Sequence, residues 1–443
     1  MSATSKTGRA TLVAANGRAR RPAEPPQGDL SHAETQRGGE RRDLWFGEVP
    51  DGWEVKRLVS YFSERKVKVS DKDFPPLSVT KNGILPQLEN VAKTDDGDNR
   101  KLVRKGDFVI NSRSDRKGSS GLSEYDGSVS LINLVLKPRG GLFGAYCNYL
   151  LKSLSFVEEN YRNGRGIVAD LWTTRYDEMK MIKVAMPPLP EQKAIVAYLD
   201  AETGRIDKAI AAEEKMIALL QERREIVINE AVGECCQCEN VANAQSQYPI
   251  GTGNIGTGNT STMATFACLP KGWGVKKVKQ CAIIEHGSDP KTEGDIPVYG
   301  SGAESFKTCG EFKEGPTVLL GRKGATLHIP HYVEGRFWNV DTAFNVYAKP
   351  NLNLRYFYYC ATCFDYKRYM SQTTLPSMTQ RDYANMPIHL PPLPEQEAIV
   401  ERLDRETGKI DRAIEVKRRQ IELLRERRQI VIDEVVTGKV KVA

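Results

Sequence analysis

Apolar residues recur at alternating spacings of four and three along two stretches of the chain. The first runs Ile206, Ile210, Ile217, Leu220 and Val227, with Glu213 and Arg224 filling the seam; the second runs Ile410, Ile414, Ile421, Leu424 and Val431, with Lys417 and Arg428. This spacing, rimmed by charges and free of Pro and Gly, predicts two coiled-coil helices of nearly four heptads. Pro190 and Pro394 suit first helical positions, and acidic residues fill the opening turns. Gly204 and Gly408 are expected to break each helix from its opening segment, and Gly233 and Gly438 to cap the C-termini. Each stripe is too long for an isolated helix to carry in water, so the other copy is the expected partner. An antiparallel pair would let Glu213 meet Lys417 or Arg428 and would set the preceding blocks at opposite ends of a rod. The alternative is that each helix packs on its own block.

The helices belong to an internal repeat. Pro187-Pro188-Leu189-Pro190-Glu191-Gln192 returns as Pro391-Pro392-Leu393-Pro394-Glu395-Gln396, and residues 191–232 match 395–436 at 25 of 42 positions. A weaker echo, Val49-Pro50-Asp51-Gly52-Trp53 and Leu269-Pro270-Lys271-Gly272-Trp273, marks the start of each unit. Between these landmarks the blocks share little beyond a loose match of Gly106–Asn111 to Gly315–Leu320. The expected plan is an unstructured extension over 1–43, a block over 44–190, a helix over 191–232, a Gly/Thr/Asn/Ser-rich tether over 233–268, a second block over 269–394 and a second helix over 395–438. Different blocks on near-identical helices suggest two reading heads with different targets.

Length and composition narrow the class. The chain has 443 residues, 40% apolar and 27% charged, which suits two or three soluble cores. No apolar run approaches the ~18 residues of a membrane span. Nine cysteines are too sparse for a disulfide framework, so a reducing, cytoplasmic setting is expected. The net charge is +7, with +4 on each of 44–190 and 269–394, so polyanion binding would belong to the blocks.

Motifs that would carry catalysis are absent or misplaced. Gly251-Thr-Gly253-Asn-Ile-Gly256 spells a dinucleotide fingerprint inside the tether, away from any strand and helix. Cys235–Cys238 and Cys360–Cys363 could supply four zinc thiolates only across 122 residues, and no metal site is expected. His328 and His331, around Pro330, read as a turn rather than a metal pair. Asp51, Glu64 and Lys66 have the spacing of a Mg²⁺ nuclease, but the second unit has Lys271 in place of Asp51. There is no phosphate loop, nucleophile elbow or H-E-x-x-H. The chain is therefore expected to need no cofactor and to catalyse nothing.

Binding chemistry remains. In the first block Arg113, Arg116 and Lys117 lie in a Gly- and Ser-flanked loop after a strand-like run; Arg322 and Lys323 hold the corresponding place in the second. Arg there can pair with guanine or grip phosphate, although a solvated turn would have the same composition. Later come aromatic and basic, helix-like stretches: Arg162, Arg165 and Arg175 near Tyr161 and Trp172, then Lys367, Arg368 and Arg381 near Tyr366 and Tyr369. The Tyr356–Tyr359 run reads as core.

With the paired Leu-Pro-Glu-Gln-x-Ala-Ile-Val segments at 189–196 and 393–400, and the paired Glu-Arg-Arg-x-Ile-Val-Ile segments at 222–228 and 426–432, the chain resembles the specificity (S) subunit of type I restriction–modification systems. The resemblance implies two α/β target-recognition domains separated by an antiparallel coiled coil. It also implies double-stranded DNA as ligand, with each domain reading half of a split asymmetric site. The implied partners are two methyltransferase subunits and two ATP-dependent translocase–endonuclease subunits. A DNA-binding scaffold without methyltransferase partners would use the same heads. The 43-residue N-terminus and the long cysteine-bearing tether depart from the family pattern.

Overall fold

The computed structural model describes residues 44–87, 97–113, 116–166, 172–233, 272–302, 304–371 and 375–442. Expectations about the first 43 residues, and about the tether beyond Gly233 with its cysteines and glycine pattern, fall outside the described residues.

The repeat landmarks sit side by side in space. Gly52, at φ +87°, turns the chain into strand Glu54–Arg57, which pairs antiparallel with Lys183–Met186. Gly274–Lys277 pairs with Pro387–Leu390 in the same way. Each returning strand leads through a Pro-Pro step into a long helix, Leu189–Ile228 or Leu393–Val436. The Trp and Glu-Gln signatures then meet: Trp53 Nε1 donates to Glu191 Oε1 at 2.9 Å, and Trp273 Nε1 to Glu395 Oε1 at 2.9 Å. Gln192 Oε1 accepts from Phe143 N at 2.8 Å while its amide donates to Pro187 O at 2.9 Å; Gln396 does the same with Asn353 N at 2.7 Å and Pro391 O at 2.8 Å.

Each head centres on a four-stranded antiparallel sheet of one topology. In the first the order is Phe62–Glu64, Asn133–Pro138, Phe108–Asn111, Ser120–Leu122; in the second it is Ala282–His286, Ala343–Ala348, Thr317–Gly321, His331–Val333. Equivalent helices, Gly144–Lys152 and Leu354–Thr362, join each head to its long helix. Tyr149 OH donates to Asp200 at 2.7 Å and Tyr359 OH to Asp404 at 2.5 Å, while Thr203 and Thr407 bond back to Leu199 O and Leu403 O at 2.7 Å. The repeated Leu-Asp and Glu-Thr-Gly motifs are thus the sockets into which the heads dock. The Tyr356–Tyr359 run is core, with Tyr356, Phe357 and Tyr359 at most 1% exposed.

The long helices pair antiparallel, joined by Arg224–Asp411, Lys417–Glu213, Arg425–Glu214 and Arg428–Asp207 ion pairs at 2.9–3.2 Å. Glu213 takes Lys417, and Arg428 goes to Asp207 instead. Ile206, Ile410, Ile414 and Ile421 are buried in the seam, and Ile210, Ile217, Leu220, Val227, Leu424 and Val431 are half-buried. Both ends of the rod enter a core. Ile195, Val196 and Leu199 share the first head's core with Ile432, Val435 and Val436 from the end of the other helix. Ile228 and Val232 share the second head's core with Leu403. Each helix therefore packs on its own head at its start and on the other head at its end, which joins the two alternatives that the seam left open.

Two details correct the sequence reading. Both helices run unbroken through Gly204 and Gly408, because packing on either side outweighs the roughly 1 kcal/mol that glycine costs in a helix. Pro190 and Pro394 occupy the second helical position rather than the first. At the C-termini, Gly438 takes φ +78° just past its helix, whereas the first helix ends in a wider π-type turn over Asn229–Gly233.

Candidate nucleic-acid interface

Phe108, Val109 and Ile110 are buried in the middle of the first sheet, so the chain after Asn111 emerges at its rim. The loop closes on itself: Asn111 Oδ1 accepts from Arg113 N at 3.0 Å, Asn111 N donates to Ser119 O at 2.9 Å, and Gly118 takes φ +78°. Thr173 then lies between Arg113 and Arg165 through two antiparallel backbone bridges. Thr174 N donates to Ser112 O at 3.0 Å, and exposed Arg175 follows. Beside them Tyr161 and Trp172 pack with ring centroids 5.9 Å apart, the Lys117 amine sits 4.4 Å over the Tyr161 ring, and Arg162 ends the helix Leu154–Arg162. Arg113, Arg116, Lys117, Arg162, Arg165 and Arg175 thus gather at one tip. Among the described residues of this stretch Tyr161 and Arg162 are helical, whereas Thr173 sits in backbone bridges and Arg175 precedes the short helix Tyr176–Met179.

The second head repeats the arrangement with other side chains. Lys323 bridges Ser377, which bridges Ser371, and Met378 N donates to Arg322 O at 2.9 Å. Arg322 reaches Asp341 O at 3.1 Å. Gly321 must be glycine here, since a Cβ would stand 2.3 Å from Leu327 Cα. Beneath it buried Tyr383 donates to Gly321 O at 2.7 Å, and burial pushes its phenol pKa well up. The short helix Tyr366–Tyr369 carries Lys367 and Arg368 toward Ser371. Arg381 stands apart, on the helix Gln380–Asn385, where it lines a cleft with Lys279, Ala282 and Ile284.

Several tip cations are held by carboxylates: Lys117 by Glu158 at 2.7 Å, Arg162 by Glu159 at 3.1 Å and Arg165 by Glu178 at 3.4 Å. Exposed pairs of this kind are worth under about 1 kcal/mol, so they pose the cations without sequestering them from a phosphate. Thr173 and Ser377, the backbone hubs, were not among the residues singled out from sequence. The 204-residue offset of the helices, carried upstream, relates them to each other.

Other candidate chemistry is dispersed. Glu64 is engaged by Lys66 at 3.2 Å and Lys101 at 3.3 Å, while Asp51 sits in the exposed turn before Trp53. His331 begins a strand rather than completing a turn with His328, and burial lowers its pKa. Among the described residues no group of three or more His, Cys, Asp or Glu side chains is placed to hold a metal ion. No described helix is long and apolar enough to cross a membrane.

Residues 270–424 match the family model of the type I restriction modification DNA specificity domain. A putative type I restriction enzyme MjaX specificity subunit of Methanocaldococcus jannaschii is 22% identical over 90% of this chain and 96% of its own length. Over residues 270–424, the second head and most of its long helix, the chain thus matches a type I DNA specificity domain. A putative type I specificity subunit of Haemophilus influenzae is 28% identical over 120 residues, where the alignment spans 26% of this chain and only 31% of that relative. A chain from a solved structure concerned with complex assembly and conformational transition of the type I R-M system superposes with a TM-score of 0.63 at 17% identity, covering 89% of this chain and all of that one. The fold, two α/β heads on paired helices, is thus shared with that chain.

Proposed function

We propose that this chain, as a specificity subunit, reads a bipartite, asymmetric DNA site, one half through residues 44–190 and the other through 269–394. The supporting observation is that two heads of one topology hold different basic tips, at Thr173 and at Ser377, on opposite ends of one antiparallel pair of helices. From Leu199 to Ile228 the shared rod is ~44 Å at 1.5 Å per residue, about a quarter longer than one B-DNA turn of ~34–36 Å. Arg113, Arg116, Lys117, Arg162, Arg165 and Arg175 serve the first half-site; Arg322, Lys323, Lys367 and Arg368 serve the second, with Arg381 a peripheral phosphate contact. In this reading the chain catalyses nothing itself.

It docks two methyltransferase subunits, and with two ATP-dependent translocase–endonuclease subunits it completes a restriction complex in the cytoplasm. The paired helices carry apolar side chains on their outer face at equivalent positions: Leu219 and Leu423 are 49% and 48% exposed, Ile226 and Ile430 47% and 54%. Repetition of such a patch across a two-fold suits two copies of one partner. The test is methylation-site sequencing in a host carrying the complete system. Exchange of residues 44–190 for another head should change one half of the methylated site only. A change in both halves, or none, would overturn the assignment. Co-purification without any methyltransferase would favour a free-standing DNA-binding scaffold.

A further inference from the structure

Glu213 and Lys417 are equivalent positions of the two repeats, 204 residues apart, and they face each other at 3.0 Å. The pseudo-two-fold axis of the rod therefore runs between them. A position on such an axis meets its own counterpart, so in a like pairing it would face an identical residue.

The other ion pairs sort themselves by the same operation. Arg224–Asp411 and Arg428–Asp207 are each other's symmetry mates and would survive if either helix paired with its own kind. Arg425–Glu214 has no such mate, since the equivalent positions are Gln221 and Arg418. Two first helices would keep the Arg224–Asp207 type of pair but set Glu213 against Glu213. Two second helices would set Lys417 against Lys417 and Arg425 against Arg418 twice. The apolar seam offers no comparable choice, because Ile206/Ile410, Ile210/Ile414, Ile217/Ile421 and Leu220/Leu424 are identical across the repeats. Side chains of Lys417 and Glu213 are 29% and 24% exposed, so their interaction is only partly screened by water.

We propose that these charges select the partner: they direct a first-repeat helix onto a second-repeat helix and against a second copy of itself. The rod thereby joins unlike heads, and association of two chains through like helices is disfavoured. This holds whatever the heads bind.

The test uses the full chain with a protease site placed between residues 240 and 260. Folded protein is cut, the two halves are unfolded together in urea and refolded, and native mass spectrometry counts the pairs. Random pairing would make half of all pairs like–like. The wild type should hold them about tenfold or more below that share. The variant Glu213→Leu/Lys417→Leu/Arg425→Gln should raise them toward it, whereas the exchange Glu213→Lys/Lys417→Glu should keep them low. Like pairs at the random share in the wild type, or unchanged selectivity in the neutral variant, would overturn the proposal. Should the halves fail to re-pair, thermal melting of the uncut chain decides. Glu213→Lys and Lys417→Glu should each lower Tm and the exchange should restore it; additive losses would refute the pairing.

Discussion

Tyr149 and Tyr359 show how much of this chain's repetition is a matter of single hydrogen bonds. Each phenol reaches an Asp and a Thr on the long helix that follows its head. Burial and the Asp404 carboxylate push the Tyr359 phenol up to about 12, so it remains a donor across the physiological range. Tyr359→Phe should leave Asp404 and Thr407 under-satisfied and lower stability by about 1–2 kcal/mol, read by urea unfolding. Tyr149→Phe should do the same at the other head. The thiols offer a second check. Burial raises Cys147 to about 12 and Cys281 to about 11, so the thiolate is scarce near neutrality. Alkylation at pH 8 should spare both in the native protein and modify both in urea. The Leu-Asp and Glu-Thr-Gly motifs were visible as repetition, but their partners were not, because Tyr149 and Tyr359 lie in blocks whose sequences have diverged.

At the scale of elements, the four-three spacing of apolar residues fixed the long helices well, since a seam that recurs over four heptads has few other solutions. The supposed breaks at Gly204 and Gly408 failed because a local preference was read without the packing on both flanks. Gly204 has open space where a Cβ would stand. Gly204→Ala should therefore stabilise the protein by roughly 0.5–1 kcal/mol and raise Tm. A loss of stability would mean that the helix needs freedom at that point. The tips were only partly readable: the basic loops after the central strands stood out, but Thr173 and Ser377, which tie distant segments together through backbone bridges, have no side-chain signature. Arg113→Ala with Arg165→Ala should weaken DNA binding by the complete complex and flatten its salt dependence, read by titration at two salt concentrations. An unchanged affinity and slope would place the DNA elsewhere.

For the whole molecule, the decisive feature is that each helix begins on one head and ends on the other. Neither head's core is complete without residues from both helices, as Ile195 with Val435 and Leu403 with Ile228 show. Sequence periodicity predicted the two helices and the seam charges suited an antiparallel pair, but neither revealed this sharing of cores, because the last turns of each helix carry the same apolar pattern whether they face a partner helix or a sheet. Shared cores make the rod stiff at both ends, so its length should set the gap between the two tips. Four residues inserted at equivalent positions near Glu213 and Lys417 would lengthen it by ~6 Å with little net rotation. Methylation-site sequencing of a host carrying the complete system with both insertions should then show the same two half-sites separated by one or two additional base pairs. An unchanged gap, with methylation retained, would contradict the ruler.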